Sequence, residues 1–122
     1  MPNNTEVKMS EVTDLVDAQI DAYFARDLER FVACYAPGVV ISDAAGQVVA
    51  EGPDAMRQMY GELFENSPRL AGRIANRIVV GNFVADHEEI EGINLPGFPT
   101  SIRGIAVYQV TDAKISRVAL YF

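Results

Sequence analysis

The chain has 122 residues, of which 49% are hydrophobic and 22% charged, and it carries a net charge of −7 at pH 7. That length makes one domain with a core that needs no staples, and the balance of apolar and charged residues excludes a disordered chain. Only ten Lys and Arg are present, scattered along the chain, so nucleic acid and anionic lipid are disfavoured as partners, and no window approaches the about 18 apolar residues of a membrane span.

The start, Met1 to Lys8, is polar and lacks the apolar stretch of a secretory signal. Residues 1–9 read as a flexible N-terminus, residues 10–122 as the single domain, and the cytoplasm as the default compartment. The spacing of Val12, Leu15, Val16, Gln19, Ile20, Tyr23 and Phe24 predicts a first helix over residues 10–25. Gln19 is the polar member of that stripe. It either lines a polar cavity or bonds to backbone, or it sits at the stripe's edge and reaches water.

Asp27 stands where an N-cap would open a second helix, with Leu28, Phe31, Val32 and Tyr35 on one face and Pro37-Gly38 as its stop. The sole cysteine, Cys34, suits a small packing residue better than a nucleophile. In the strand over residues 39–43, alternation puts Val39, Ile41 and Asp43 on one face. A carboxylate buried beside two apolar residues has a raised pKa, the usual route to a general base or acid near neutral pH. The plainer alternative for Asp43 is a turn residue bonded to backbone.

Ala44-Ala45-Gly46 reads as a turn and residues 47–51 as a short returning strand. Gly52-Pro53-Asp54 opens a third helix with Met56, Met59, Tyr60, Leu63 and Phe64 on its apolar face, and Asn66-Ser67-Pro68 ends it. Tyr60 lies in mid-stripe, so its ring is expected to be buried and its hydroxyl to need a partner. Beyond it the pattern is strands. Leu70, Ile74, Ile78 and Val80 share one face of a long strand, with Arg69, Arg73 and Arg77 on or near the other, and Gly81-Asn82 makes a hairpin turn.

In the next strand, residues 83–91, Phe83, Ala85, His87 and Glu89 face one way and Val84, Asp86, Glu88 and Ile90 the other, and neither face is cleanly apolar. If His87 points inward with Ala85, it serves as a general acid opposite Asp43, and Asp86 and Glu88 face outward. The alternative is a solvated or dimer-facing histidine. One histidine among acids on a single strand does not supply convergent ligands, so no metal is expected. Residues 94–99, with two prolines and a glycine, form a loop, and residues 102–110 and 114–122 are the last two strands, joined around Asp112-Ala113.

The element order is α-α-β-β-α-β-β-β-β. It predicts an α+β fold in which a strongly curved antiparallel sheet, shaped as a cone, packs on three helices and leaves an internal pocket at its open end. The residues of the Asp27–Gly52 stretch resemble the ketosteroid isomerase and SnoaL-like polyketide cyclase group, which shares the nuclear transport factor 2 fold, and the resemblance extends over residues 12–122. By that resemblance Asp43 is the base, followed by the turn glycine Gly46, and Tyr35 and Tyr60 stand where two tyrosines back up a catalytic tyrosine. That catalytic tyrosine would fall at Gln19 and a protonated aspartate near Ala106, so both principal donors to the substrate oxygen are replaced. Other members of the superfamily pair an acid with a pocket histidine.

The resemblance implies a cofactor-independent acid–base enzyme acting on a small apolar carbonyl compound through an enol or enolate, by isomerisation, dehydration or cyclisation. Asp43, His87, Tyr60 and Gln19 are its expected catalytic residues, with Tyr23, Tyr35, Ile41, Phe64 and Ala106 lining the pocket. It also implies a homodimer. The alternative function is a non-catalytic small-molecule-binding or dimerisation module of the same fold.

Overall fold

The computed structural model describes residues 9–122, so Met1–Lys8, most of the segment read above as flexible, lies outside the described residues. The elements in order are α1 (Met9–Phe24), α2 (Leu28–Ala33), β1 (Tyr35–Ser42), β2 (Val48–Glu51), α3 (Gly52–Asn66), β3 (Ala71–Val80), β4 (Phe83–Glu91), β5 (Ser101–Thr111) and β6 (Lys114–Tyr121). The strands form one curved, unclosed sheet in the order β2-β1-β6-β5-β4-β3. The α+β expectation of a curved sheet on three helices holds, with one difference: β1 runs parallel to β6. With β1 antiparallel to β2 and three hairpin reversals between β3 and β6, the parallel β1–β6 pair means that β2 and β3 run the same way on either side of α3.

The helices cover the inner face of the sheet. Val12 and Val16 of α1, Phe31 of α2 and Met56 of α3 pack with Val39 and Ile41 of β1, Val84 of β4, Ala106 of β5 and Ile115 of β6 in a continuous core. The N-cap at Asp27 is present, its carboxylate accepting from the Arg30 amide at 3.2 Å. The second helix is shorter than its apolar spacing suggests. It ends at Ala33, and Tyr35 opens β1 because the Ile115 amide bonds the Cys34 carbonyl and Tyr35 pairs with Ile115. Pro37 and Gly38 therefore lie inside the strand, within a stretch where the register jumps from Tyr35↔Ile115 to Val40↔Arg117. A bulge of that kind leaves the missing proline N–H without consequence.

A second irregularity sets the geometry of the site. Along β3 the register runs Ala71↔Glu91 to Ile74↔Glu88 and then shifts to Asn76↔His87 and Arg77↔Asp86, so Ala75 is an extra residue. Side chains beyond it change face. Ile78 and Val80, expected on the same face as Ile74, are 66% and 68% exposed on the outer side, and Arg77 turns inward. Upstream, Gly72 faces α1, where a Cβ would collide with the Phe24 ring and the Glu89 carbonyl, so the helix lies close over the strand. Among the described residues no helix is long and apolar enough to cross a membrane.

Candidate functional site

A cavity of about 210 Å³ lies between the helices and the inner face of the sheet. Its walls are apolar and rich in aromatic rings: Tyr23 from α1, Phe31 from α2, Tyr35 from β1, Tyr60 from α3 and Tyr108 from β5. The rings hold one another edge-on or tilted, with Phe31 and Tyr60 at 4.7 Å, Phe31 and Tyr35 at 5.1 Å, and Tyr23 against Phe64 at 5.4 Å. Phe98 and Phe122, both well exposed, mark its open side. Only two non-aromatic polar residues reach the lining, Gln19 and Glu88, and no Lys, Arg or His does.

Glu88 reaches the cavity because β4 turns inward the face opposite His87, in keeping with the solvated alternative for that histidine. Val84, Asp86, Glu88 and Ile90 are buried, and their partners on β5 are Tyr108, Ala106, Gly104 and Ile102. His87 is on the outer face, its side chain 38% exposed and 3.9 Å from the Glu89 carboxylate, and is not part of the cavity. Its proposed role opposite Asp43 is therefore not available to it. Val84 and Ile90 bracket the two acids on one face, and this was the signal in the sequence for which face turns in.

The Tyr108 hydroxyl donates to Glu88 Oε2 at 2.6 Å, and Oε1 has no hydrogen bond to another described residue. Burial pushes the Glu88 carboxyl up from its ordinary 4.5 to about 7. The Tyr108 hydrogen bond and the Arg77 charge pull it down, and the neighbouring Asp86 charge pushes it up. Gln19 is 2% exposed and its Oε1 accepts from the Tyr35 hydroxyl at 2.7 Å. That bond leaves the amide nitrogen Nε2 buried without a partner. The cavity reading of Gln19 is the one the fold adopts. Tyr23 and Tyr60 also border the cavity, their hydroxyls held protonated chiefly by burial.

Asp43 lies beyond the end of β1, outside the cavity lining. Its Oδ1 accepts from the amides of Ala45 at 3.0 Å and Gln47 at 2.9 Å, closing the turn to β2. The plainer reading of this residue is the observed one: the register shift after Ile41 ends the alternation that would have carried Asp43 inward. Of the expected lining residues, Tyr23 and Tyr35 are in place. Ile41, Phe64 and Ala106 are not. Ile41 and Ala106 are fully buried in the core, where α3 covers β1 and Asp86 closes the level of Ala106, and Phe64 stands behind Tyr23 and Tyr60.

Behind Glu88 the fold buries a second carboxylate. Asp86 is wholly inaccessible and is gripped through both oxygens by Arg77, Nε to Oδ1 at 2.7 Å and Nη2 to Oδ2 at 2.9 Å. Nη1 of the same guanidinium meets Asp17 of α1 at 2.8 Å. Among the described residues no group of three or more His, Cys, Asp or Glu converges as a metal ion would require. The arrangement offers one carboxyl able to give or take a proton near pH 7, an unused amide donor and phenol hydroxyls, in a space without cations.

The sequence profile of the SnoaL-like domain family matches residues 16–118. No curated protein sequence matches the chain significantly. Among solved structures, a cystatin-fold protein of Novosphingobium aromaticivorans is 28% identical with a TM-score of 0.81, covering 93% of this chain and 98% of its own. An NTF2-like protein of Cytophaga hutchinsonii is similar at 17% identity and a TM-score of 0.73, over 98% of this chain and 94% of its own. A putative polyketide cyclase of Sinorhizobium meliloti is similar at 19% identity and a TM-score of 0.73, over 88% and 93% respectively.

Proposed function

The chain belongs to the SnoaL-like domain family, and from that premise we propose that it is a cofactor-independent acid–base catalyst for a small, neutral, largely apolar carbonyl compound, with Glu88 moving the proton. The observation that carries this reading is a lone carboxyl in an aromatic cavity, pushed up to about 7 and with one oxygen free. In its ionised form Glu88 takes a proton from the carbon beside the carbonyl. The electron pair of that C–H bond becomes the double bond of an enolate, and the negative charge collects on the oxygen. Gln19 Nε2 donates to that oxygen, assisted by the Tyr60 hydroxyl, so the buried amide gains the partner it lacks. Return of the proton to another carbon gives isomerisation, loss of a β-hydroxyl gives dehydration, and attack on a second carbonyl gives cyclisation. The likeness to a polyketide cyclase fits the last of these.

Size and charge narrow the substrate. The cavity of about 210 Å³ falls below the about 300–1,000 Å³ of drug-sized sites. Every ionisable group lining it is an acid, so an anion entering it meets no counter-charge. Acetophenone is expected to shift the ring resonances of Tyr23, Tyr35, Tyr60 and Tyr108 in NMR titrations at pH 8, and benzoate, of similar size, is expected to leave them in place. Equal binding of the two would defeat this substrate class.

A second reading, a non-catalytic binding module, is favoured by the engagement of Asp43 in its turn. It predicts that acetophenone binds without exchange of its methyl hydrogens for deuterium. We also propose a homodimer built on the outer face of the sheet, where Ile78, Val80, Phe83, Ile105 and Tyr121 form an exposed apolar surface. Light scattering is expected to give twice the 13.4 kDa chain mass for the parent and the single mass for Ile105→Asp. A parent of single mass would end the dimer proposal.

A further inference from the structure

We propose that Arg77 is a positioning residue for Glu88: clamped between Asp86 on β4 and Asp17 on α1, it neutralises the one other carboxylate on the inner face of the strand and so sets the proton affinity of the cavity acid. The inference rests on the reading of Glu88 as the proton-moving group. Asp86 and Glu88 are two residues apart on one face of β4, a rise of roughly 7 Å. Asp86 is fully buried, so its charge reaches Glu88 with little screening by water, and Arg77 spans both its oxygens.

The placement of Arg77 is a product of the bulge at Ala75. A regular continuation of the register over residues 71–74 would set Asn76 opposite Asp86 and leave the arginine on the outer face. The extra residue brings Arg77 inward, where Asp17 receives its remaining nitrogen. The groups facing Glu88 are Gln19 and Tyr23 from α1, Tyr35 from β1, Tyr60 from α3, Tyr108 from β5, Asp86 from its own strand and Arg77 from β3. Arg77 is the only cation among them. The charges of Asp86 and Arg77 act on Glu88 in opposite directions, the first disfavouring its ionised form and the second favouring it.

The test is the titration of the Glu88 side-chain carboxyl carbon, followed by NMR on the full chain and assigned by its absence from Glu88→Gln. Asp86→Asn is expected to lower the Glu88 midpoint by about one pH unit, because the arginine then acts unopposed. Arg77→Gln is expected to raise it by about the same amount. The double variant, neutral at both positions like the parent pair taken together, is expected to return it to within about 0.3 of the parent. Should Arg77→Gln not fold, Asp86→Asn and the double variant still give the opposed pair of outcomes. A Glu88 midpoint unmoved in Asp86→Asn, or one left shifted in the double variant, overturns the inference while leaving Glu88 as the cavity acid. A parent Glu88 titrating near 4.5 overturns the functional reading itself.

Discussion

Glu88→Gln is expected to slow the exchange of acetophenone methyl hydrogens for deuterium by about 10²–10⁴-fold, the range assigned to a positioned acid or base. The substitution keeps the shape of the side chain, and the Tyr108 hydroxyl can still donate to the amide oxygen, so binding of acetophenone is expected to persist. Loss of exchange with retained binding separates proton transfer from pocket collapse. Exchange at the parental rate in the variant would remove Glu88 from the chemistry.

The same variant carries a signature in stability. The folded chain holds the Glu88 proton up to about 7, whereas the unfolded chain releases it near 4.5. Between these values the folded state binds more protons, so stability is fullest below pH 4.5 and falls as pH rises through 7. At about 1.4 kcal/mol per pH unit the fall from this group amounts to roughly 3 kcal/mol. Urea unfolding at pH 5 and pH 8 is expected to show most of that difference, about 2.5 kcal/mol, in the parent and to lose it in Glu88→Gln. Equal differences in both proteins would contradict the buried, proton-holding carboxyl.

The second large effect concerns the ion pair behind the cavity. Arg77→Met strands the Asp86 carboxylate in a place with no access to water, and breaking a buried pair on one side costs about 3–5 kcal/mol. For a domain whose whole stability is about 5–15 kcal/mol, that is a large fraction. Replacing both partners, as Arg77→Met with Asp86→Leu, removes the desolvated charge along with its counter-charge and is expected to recover most of the loss. Urea midpoints for the two variants at pH 7 decide the matter. A cost below about 1 kcal/mol in the single variant would mean that water reaches Asp86.

Much of this architecture is written locally in the chain. The helical faces of α1 and α3, the cap at Asp27, Pro53 in the first turn of α3 and the Gly81-Asn82 hairpin each depend on residues within a few positions of one another, and each is found where the sequence puts it. Gln19, the polar residue in an apolar stripe, left a cavity and a water-reaching edge both open, and the fold places it at the cavity. The site's acid was marked only by Val84 and Ile90 on its own face of the strand. Which face of β4 turns inward depends on its pairing with β5, and the single residue that reverses β3 has no mark of its own, since Ala75 is neither glycine nor proline. Tyr35 was drawn into the helix by its spacing, but its pairing with Ile115, eighty residues away, places it in the strand. Asp43 followed the alternation of β1 only as far as that alternation lasted. At Tyr35 and along β4 a distant strand pairing outweighed a local pattern, whereas at Asp43 the tight turn to β2 ended it.

The bulge at Ala75 also governs how this chain should be compared with its relatives and redesigned. It divides ten consecutive residues into two reading frames: position 72 faces α1 and position 74 the cavity, whereas from position 76 onward even numbers lie on the outer surface. An alignment that places a gap a few positions away would equate cavity residues with surface residues and make both look variable. An engineer widening the cavity has Ile74 to work with but gains nothing at Ile78, and deleting the single residue at 75 would exchange the inner and outer roles of the five residues that follow.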